Sequence, residues 1–211
     1  MFGSHDFPLF VLAGVLLNVT PGPDMLYIIG RSTTQGWRAG AAAALGIGAG
    51  CLVHIAAAAL GLSAVLATSA AAFAVLKIAG ATYLVYVGIS LILSSRATAK
   101  TAPTAVTARV TLRAVFVQGF FTNVLNPKVA LFFLAFLPQF IDADAPNKAL
   151  AFIFLGAVFN FNGTLWNLFV AWFAARVSAG FDRSRLALWF NRCIGTFFVY
   201  LGVRLAFAKA G

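Results

Sequence analysis

Two residues of opposite charge lie inside apolar stretches of the sequence, and each directly follows a proline. Asp24 falls within the run Phe7–Ile29, and Lys128 falls within the run Ala114–Phe140. A charge at the centre of a bilayer costs about 2.5–3.5 kcal/mol on insertion scales, so such a residue usually serves a function. One carboxylate and one ammonium suit a zwitterion, because Asp24 can hold an ammonium group and Lys128 a carboxylate. A structural ion pair is the competing interpretation.

Helix-breaking residues accompany both charges. The first run contains Thr-Pro-Gly-Pro before Asp24, and the second contains Asn-Pro before Lys128. Proline lacks an N–H donor and clashes with the preceding turn, and glycine adopts φ angles closed to other residues. Each run should therefore break into two half-helices. Irregular backbone at membrane depth is tolerated only inside protein or beside a water-filled cavity, so the breaks are predicted to wall a substrate site. A proline kink satisfied by neighbouring helices is the alternative.

The predicted substrate-binding residues are those of the two breaks and their flanks: Asn18, Thr20, Pro21, Gly22, Pro23, Asp24, Asn123, Asn126, Pro127 and Lys128. Asp24 is also the proton-coupling candidate, because the chain has no Glu and its other acids lie at ends or in joins. A second tier comprises Gln118, Asn160, Asn167 and His54. For the asparagines of that tier, helix–helix hydrogen bonding is an equal alternative, and for His54 a packing role is the alternative to proton relay.

Composition places the chain in a membrane. Of its 211 residues, 62% are hydrophobic and 9% charged, against roughly 25% charged in soluble domains. The net charge of +10 comes without a basic helix or an aromatic RNA-binding motif, so no nucleic-acid partner is expected and the basic residues are assigned to loops beside anionic lipid. Cys51 and Cys193 lie apart, which indicates neither a disulfide framework nor a metal site. No cofactor is expected, and no nucleophile–His–acid set supports an enzyme.

Six apolar runs each meet the length of about 20 residues that a membrane-spanning helix requires. They are Phe7–Ile29, Gly40–Leu66, Ala70–Leu93, Ala114–Phe140, Ala149–Phe173 and Leu186–Phe207. The joins between them are short, as in Arg31–Arg38. The second run is rich in Gly and Ala, which let helices approach closely in lipid. The predicted fold is an all-α membrane protein with six transmembrane helices, of which the first and fourth are broken at Pro motifs.

The two halves of the chain carry similar motifs in the same order. Gly14-x-x-x-Asn18 precedes the first break and Gly119-x-x-x-Asn123 the second, and a weaker match relates the third and sixth runs. Three spans are an odd number, so a repeat of the first half must cross the membrane upside down. Inverted repeats with breaks in matching positions indicate a secondary-transporter site near the bilayer midplane. The expected units are a three-helix repeat 1–93, a basic cytoplasmic connector 94–113 and a three-helix repeat 114–211.

Basic residues beside the spans predict the orientation. One side collects ten of them, and the other collects four. The larger set should be cytoplasmic, which places both termini outside. Its members are Arg31, Arg38, Arg96, Lys100, Arg109, Arg113, Arg176, Arg183, Arg185 and Arg192.

The motifs resemble those of the lysine exporter/homoserine–threonine exporter (LysE/RhtB) family over essentially the whole chain. The matching segments are Gly14-x-x-x-Asn18-x-Thr20-Pro21-Gly22-Pro23 and Gln118-Gly119-Phe120-x-x-Asn123-x-x-Asn126-Pro127-Lys128. The resemblance implies multi-pass insertion in a bacterial inner membrane and efflux of amino acids or their derivatives, driven by the proton motive force. The implied partners are a small amino acid, protons and membrane lipid, and a homo-oligomer is compatible with them. With one intramembrane acid, a neutral substrate such as homoserine, threonine or leucine is favoured.

Two other functions compete with transport. An intramembrane thiol–disulfide electron carrier would need cysteines at matched positions beside the breaks, whereas Cys51 lies in the second run and Cys193 at the start of the sixth. A membrane scaffold would explain the packing glycines but not two breaks that bear opposite charges.

Overall fold

The computed structural model describes residues 3–62, 110–142 and 144–176, with isolated helical positions at 75, 78, 82, 85, 86, 89, 93, 192, 196, 199, 200 and 203. The α-helices of the three continuous ranges are α1 (Phe7–Val19), α2 (Pro23–Gln35), α3 (Trp37–Ala57), α4 (Leu112–Val124), α5 (Pro127–Leu131) and α6 (Lys148–Arg176). A π-helical segment, Ala58–Leu62, extends α3, while π-helical Phe132–Phe136 and 3-10 Leu137–Phe140 continue α5. An isolated bridge, Ser4 to Ile141, is the only β pairing in these ranges. The all-α prediction is confirmed for them.

Two helices are long and apolar enough to cross a membrane by themselves. They cover Trp37–Gly61 and Lys148–Arg176. The pair α1–α2 meets the same test only as a unit bent by 50°, and α4 with the segment Pro127–Phe140 does so with a bend of 46°. The described residues therefore contain two to four candidate spans. The predicted third and sixth spans, the connector before residue 110 and Cys193 lie almost entirely outside the described residues.

The join predicted at Arg31–Arg38 is wrong in its extent. Helix α2 continues past the apolar run to Gln35, and only Gly36, with φ of 86°, separates it from α3. The hydroxyls of Ser32 and Thr34 each donate to a carbonyl four residues earlier, at 2.7 Å. These bonds satisfy the polar side chains within the helix, so the polar sequence extends α2 instead of ending it.

Prolines begin the helices that follow both interruptions. Helix α1 ends at Val19, Thr20 is extended, and Pro23 lies in the first turn of α2. Helix α4 ends at Val124, Asn126 is extended, and Pro127 opens α5. Proline suits this position because its fixed φ matches the helix and the missing N–H would have no helical partner there.

Buried apolar residues form two clusters. The larger cluster joins α1, α6 and the π-helical segment that follows α5. It centres on aromatic side chains such as Phe10, Phe132 and Phe159. The rings of Phe132 and Phe159 stack with centroids 4.2 Å apart. The smaller cluster joins α2, α3, α4 and α6 and includes Ile28 and Val115. Many large apolar side chains outside these clusters are exposed, as expected where lipid replaces water as solvent.

Helices α3 and α4 cross at very short range because glycines lie at the contact. A Cβ added to Gly50 would be 2.6 Å from the Phe120 carbonyl, and one on Gly119 would be 2.6 Å from the Ala43 carbonyl. No side chain fits in either place. The small residues of the second run thus pack a helix of the first half against the helix that carries Asn123.

Candidate functional site

A cavity of about 30 Å³ lies where the two helix interruptions face each other. Its apolar lining includes Leu17, Val129 and Phe159 from the larger cluster and Met25, which packs against the smaller one. The cavity therefore lies between the two cores. Its polar lining consists of Asn18, Thr20, Asp24, Asn126, Lys128 and Asn167, with Gly22 completing the wall. Both breaks thus contribute to one pocket.

The carboxylate of Asp24 is held by one of its two oxygens. Oδ2 accepts a hydrogen bond from Nδ2 of Asn123 at 2.8 Å. Oδ1 is buried and has no hydrogen-bond partner among the described residues. Asp24 lies in the first turn of α2, where the exposed N–H groups of the helix favour negative charge. The result is an oriented carboxylate with one acceptor oxygen left to bind a donor.

Asn123 positions Asp24 from the opposite half of the chain. Its side chain is only 2% exposed, and its Oδ1 is also buried without a partner in the described structure. A Cβ on Gly50 would be 2.9 Å from the Asn123 Cβ, so the glycine makes room for this side chain. The main-chain carbonyl of Asn123 lies 3.0 Å from Nε2 of His54. Two helices, α3 and α4, therefore fix the amide that orients the carboxylate.

Lys128 reaches across to the end of α1. Its Nζ donates to the carbonyls of Leu17 and Thr20, both at 2.7 Å, which are 111 and 108 residues away in sequence. Those carbonyls lie at the C-terminal end of α1, which carries partial negative charge. The main-chain N–H of Lys128 donates to Oδ1 of Asn126 at 3.0 Å. Lys128 and Asp24 line the same pocket, and each group has hydrogen-bond partners of its own.

Of the remaining residues predicted at the breaks, some line the pocket and others lie outside it. Asn18 lines the pocket and donates to the carbonyl of Phe159 at 3.3 Å. The hydroxyl of Thr20 donates to the Leu16 carbonyl at 2.7 Å, so its main chain rather than its side chain faces Lys128. The three prolines, Pro21, Pro23 and Pro127, are exposed and lie outside the lining.

Of the second-tier residues, only Asn167 lines the pocket. Asn160 donates to the carbonyl of Gly48 at 3.2 Å and so links α6 to α3. The ring of His54 stacks on Phe133 at 5.9 Å, consistent with the packing role left open for it. Gln118 is exposed, and its Oε1 accepts hydrogen bonds from two residues of α2.

The sequence reasoning missed Arg31, which it placed among loop residues. Arg31 is 6% exposed, and its guanidinium donates to Gln35 at 2.8 Å and to Gln118 at 2.7 Å. Tyr27 donates to the same Gln118 oxygen at 3.1 Å. One sequence signal points to this arginine: it lies seven residues after Asp24, which places the two on the same face if the helix continues.

Within the described residues, no group of three or more His, Cys, Asp or Glu side chains could hold a metal ion. Cys51 is a buried free thiol in α3. The polar atoms of the pocket are instead carboxylate, ammonium, amide and main-chain carbonyl groups, which suit hydrogen bonding to a small charged solute.

Comparison with known proteins assigns the chain to a family. The model of the family described as LysE type translocator matches residues 15–209. The chain belongs to the LysE type translocator family. This membership confirms the resemblance noted from the motifs, and a translocator family implies a transport role.

Relatives of this LysE chain align along nearly their whole length. An uncharacterized membrane protein of Pseudomonas aeruginosa is 32% identical over 209 residues, covering 98% of this chain and 97% of that protein. A leucine efflux protein of Salmonella typhimurium is 26% identical over 206 residues, covering 97% and 96%. An uncharacterized membrane protein of Bacillus subtilis is 26% identical over 206 residues, covering 95% and 98%. No solved structure gives a significant match.

Proposed function

We propose that this protein exports small neutral amino acids from the cytoplasm. The observation that carries the proposal is the single pocket into which two helix breaks bring one carboxylate, Asp24, and one ammonium, Lys128. An amino acid is a zwitterion, so both of its charges find an opposite charge there. Relatives named leucine efflux protein support the same substrate class.

The substrate's ammonium would bind Oδ1 of Asp24, the acceptor that has no partner in the described structure. The Asn123 amide keeps the carboxylate facing the pocket, and Lys128 would take the substrate's carboxylate. Charge-assisted hydrogen bonds of this kind are roughly twice as strong as neutral ones. Leu17, Met25, Val129 and Phe159 supply apolar surface for the side chain.

The cavity is too small for that substrate in the described conformation. A volume of about 30 Å³ holds about two waters, since each water needs roughly 10–15 Å³ on this measure. The half-helices would therefore have to separate to admit an amino acid. Such rocking of one repeat against the other is the usual mechanism of inverted-repeat transporters.

The proposed architecture has six spans in two inverted three-helix repeats, residues 1–93 and 114–211, joined by a basic connector at 94–113. The bends of 50° and 46° support the interpretation of α1–α2 and of α4 with Pro127–Phe140 as single broken spans. The protein would lie in the bacterial inner membrane with both termini outside, surrounded by lipid and able to form a homo-oligomer.

Proton coupling is proposed at Asp24. A proton on the carboxylate would cancel its charge and compete with the substrate's ammonium for the same oxygen. Export would then exchange an outgoing amino acid for an incoming proton. The electron-carrier alternative gains no support, because the family is one of translocators and Cys51 is buried in α3.

The test is an efflux assay in cells that lack the other amino-acid exporters. Cells are loaded with leucine-, threonine- and lysine-containing dipeptides, and the released amino acids are followed in the medium with and without a protonophore. Expression should speed the exit of leucine or threonine but not lysine, and the protonophore should abolish the gain. Asp24→Asn and Lys128→Met should each remove most of the gain, whereas Cys51→Ala should not. Unchanged export by both charge variants would contradict the proposed site.

A further inference from the structure

The ammonium of Lys128 lies in a site that is built for a cation. Two main-chain carbonyls, of Leu17 and Thr20, converge on it from the end of α1, each at 2.7 Å. Carbonyls at the end of a helix carry the negative end of its dipole. The Leu17 carbonyl also accepts a hydrogen bond from the N–H of Thr20 at 3.2 Å, so Lys128 is its second donor. In inverted-repeat transporters, unwound carbonyls of this kind coordinate coupling cations. Here a side chain of the same protein fills the position.

We infer that Lys128 is an internal occupant of a primary-amine site, and that substrate binding exchanges it for the substrate's own ammonium. The inference rests on the proposed function. Before substrate binds, Lys128 neutralises the end of α1. When an amino acid enters, its carboxylate draws Lys128 away, and its ammonium takes Asp24 and the carbonyls of Leu17 and Thr20. No covalent bond forms or breaks in this exchange.

Placement of the groups supports the exchange. Leu17, Thr20, Asp24 and Lys128 line the same cavity, so the ammonium has only a short distance to move. A Cβ on Gly22 would be 3.6 Å from both Cδ and Nζ of Lys128. The lysine side chain therefore runs along the break itself, beside the backbone that must rearrange when the site opens.

The exchange makes Lys128 a specificity-determining residue that selects zwitterions. A simple amine cannot displace Lys128, because a buried ammonium that leaves the carbonyls needs another acceptor. A simple carboxylate can attract Lys128 but supplies no donor to replace it at the two carbonyls. Only a molecule with both groups satisfies every charge at once. Without Lys128, the carbonyl site should accept an amine that has no carboxylate.

The experiment measures binding to purified protein in detergent by calorimetry and by ligand-induced shifts in unfolding temperature. The probes are leucine, isoamylamine, which is leucine without its carboxylate, and 4-methylpentanoate, which is leucine without its amine. The proteins are the wild type, Lys128→Met and, as matched control, Lys148→Met at the start of α6. Wild type and Lys148→Met should bind leucine and neither analogue. Lys128→Met should bind isoamylamine at least about tenfold more tightly than wild type does and leucine at least about tenfold more weakly.

Three results would overturn the inference. One is wild-type protein that binds isoamylamine as tightly as leucine, and another is Lys128→Met that folds and gains no affinity for the amine. The third, which does not depend on folding of the Lys128 variants, is wild-type protein that binds 4-methylpentanoate as tightly as leucine. Failure of the proposed function would give a different result, because the wild type would then neither bind nor export an amino acid. The amine affinity of Lys128→Met would still report whether the carbonyls form a cation site.

Discussion

The two helix breaks meet in one pocket but are completed in different ways. At the second break, the chain satisfies itself, since Oδ1 of Asn126 accepts from the N–H of Lys128 and the N–H of Asn126 donates to the Asn123 carbonyl at 2.9 Å. At the first break, Gly22 offers no side-chain cap. Thr20 donates to the Leu16 and Leu17 carbonyls within this break, but the Leu17 and Thr20 carbonyls also accept from Lys128, in the other half of the chain.

This difference separates a rigid element from a dependent one. The second break keeps its shape through contacts between neighbours in sequence, and it carries both residues that reach across the pocket, Asn123 and Lys128. The first break depends on Lys128 for donors to the Leu17 and Thr20 carbonyls, and on Asn123 for the orientation of Asp24. A substrate that competes for these contacts would therefore act on the first break, and changes that weaken the cross-pocket contacts should affect export more than stability.

The largest effect is expected from Asn123→Ala. The change removes the hydrogen bond that Oδ2 of Asp24 accepts from Asn123. A lost hydrogen bond to a charged group costs about 1.5–3 kcal/mol, so the export rate at subsaturating substrate should fall by about tenfold or more. Amino-acid release per amount of protein in the membrane measures it. The control is Thr122→Val, one residue earlier, which loses only a bond within α4. Equal export by the two variants would contradict the dependence of the first break on Asn123.

A smaller loss is expected from Gly50→Ala. The new Cβ would approach the Phe120 carbonyl to 2.6 Å and the Asn123 Cβ to 2.9 Å, so α3 and α4 must move apart. Overpacking of this kind costs about 1–3 kcal/mol. Export should fall severalfold because the displaced Asn123 no longer meets Asp24, and the unfolding temperature in detergent should fall as well. Gly61→Ala provides the matched control, since nothing lies within 4 Å of a Cβ there. A loss of the same size at Gly61 would point to helix flexibility instead of the close crossing.

The positions of the breaks follow from local backbone chemistry, and this is why the sequence predicts them. Proline and glycine act on the residues beside them, so the end of α1 at Val19 and the start of α5 at Pro127 can be read from the chain. The side chains that contact each break cannot be read from the chain in this way, because the Lys128 contacts span more than 100 residues. No periodicity encodes which carbonyl a lysine will reach.

Arg31 shows a second limit of sequence reasoning. Apolar runs define a span by where hydrophobicity stops, and α2 continues beyond that point through hydroxyls that bond to its own carbonyls. Burial of Arg31 depends on Gln118, which lies 87 residues away. Charge at the end of an apolar run is therefore assigned to a loop unless tertiary contacts are known.

Removing the side-chain cap that Asn126 supplies at the second break should lower the unfolding temperature. Asn126→Ala loses the bond from the Lys128 N–H, and caps of this kind contribute about 0.5–2 kcal/mol. Asn147→Ala is the matched control, because Asn147 caps α6 in the same way at 3.0 Å but lies outside the pocket. Both variants should unfold at similarly lowered temperatures in detergent. Only Asn126→Ala should also lower export, by about threefold, because the cap positions Lys128. Equal export by the two would mean that the second break is held by its proline alone.

The smallest effect is expected from Thr20→Val at the first break. The substitution removes the hydroxyl bond to the Leu16 carbonyl and keeps the main-chain carbonyl that accepts from Lys128. One neutral hydrogen bond contributes about 0.5–1.5 kcal/mol. Because this bond lies within the end of α1 and does not reach across the pocket, we expect an effect near the lower limit, which lowers export by about two- to threefold. The measurement is the concentration dependence of leucine efflux, with Thr33→Val, whose hydroxyl bonds within α2, as the control. A loss as large as that of Asn123→Ala would mean that the Thr20 hydroxyl itself contacts the substrate, and the first break would then recognise its ligand through a side chain as well as through its carbonyls.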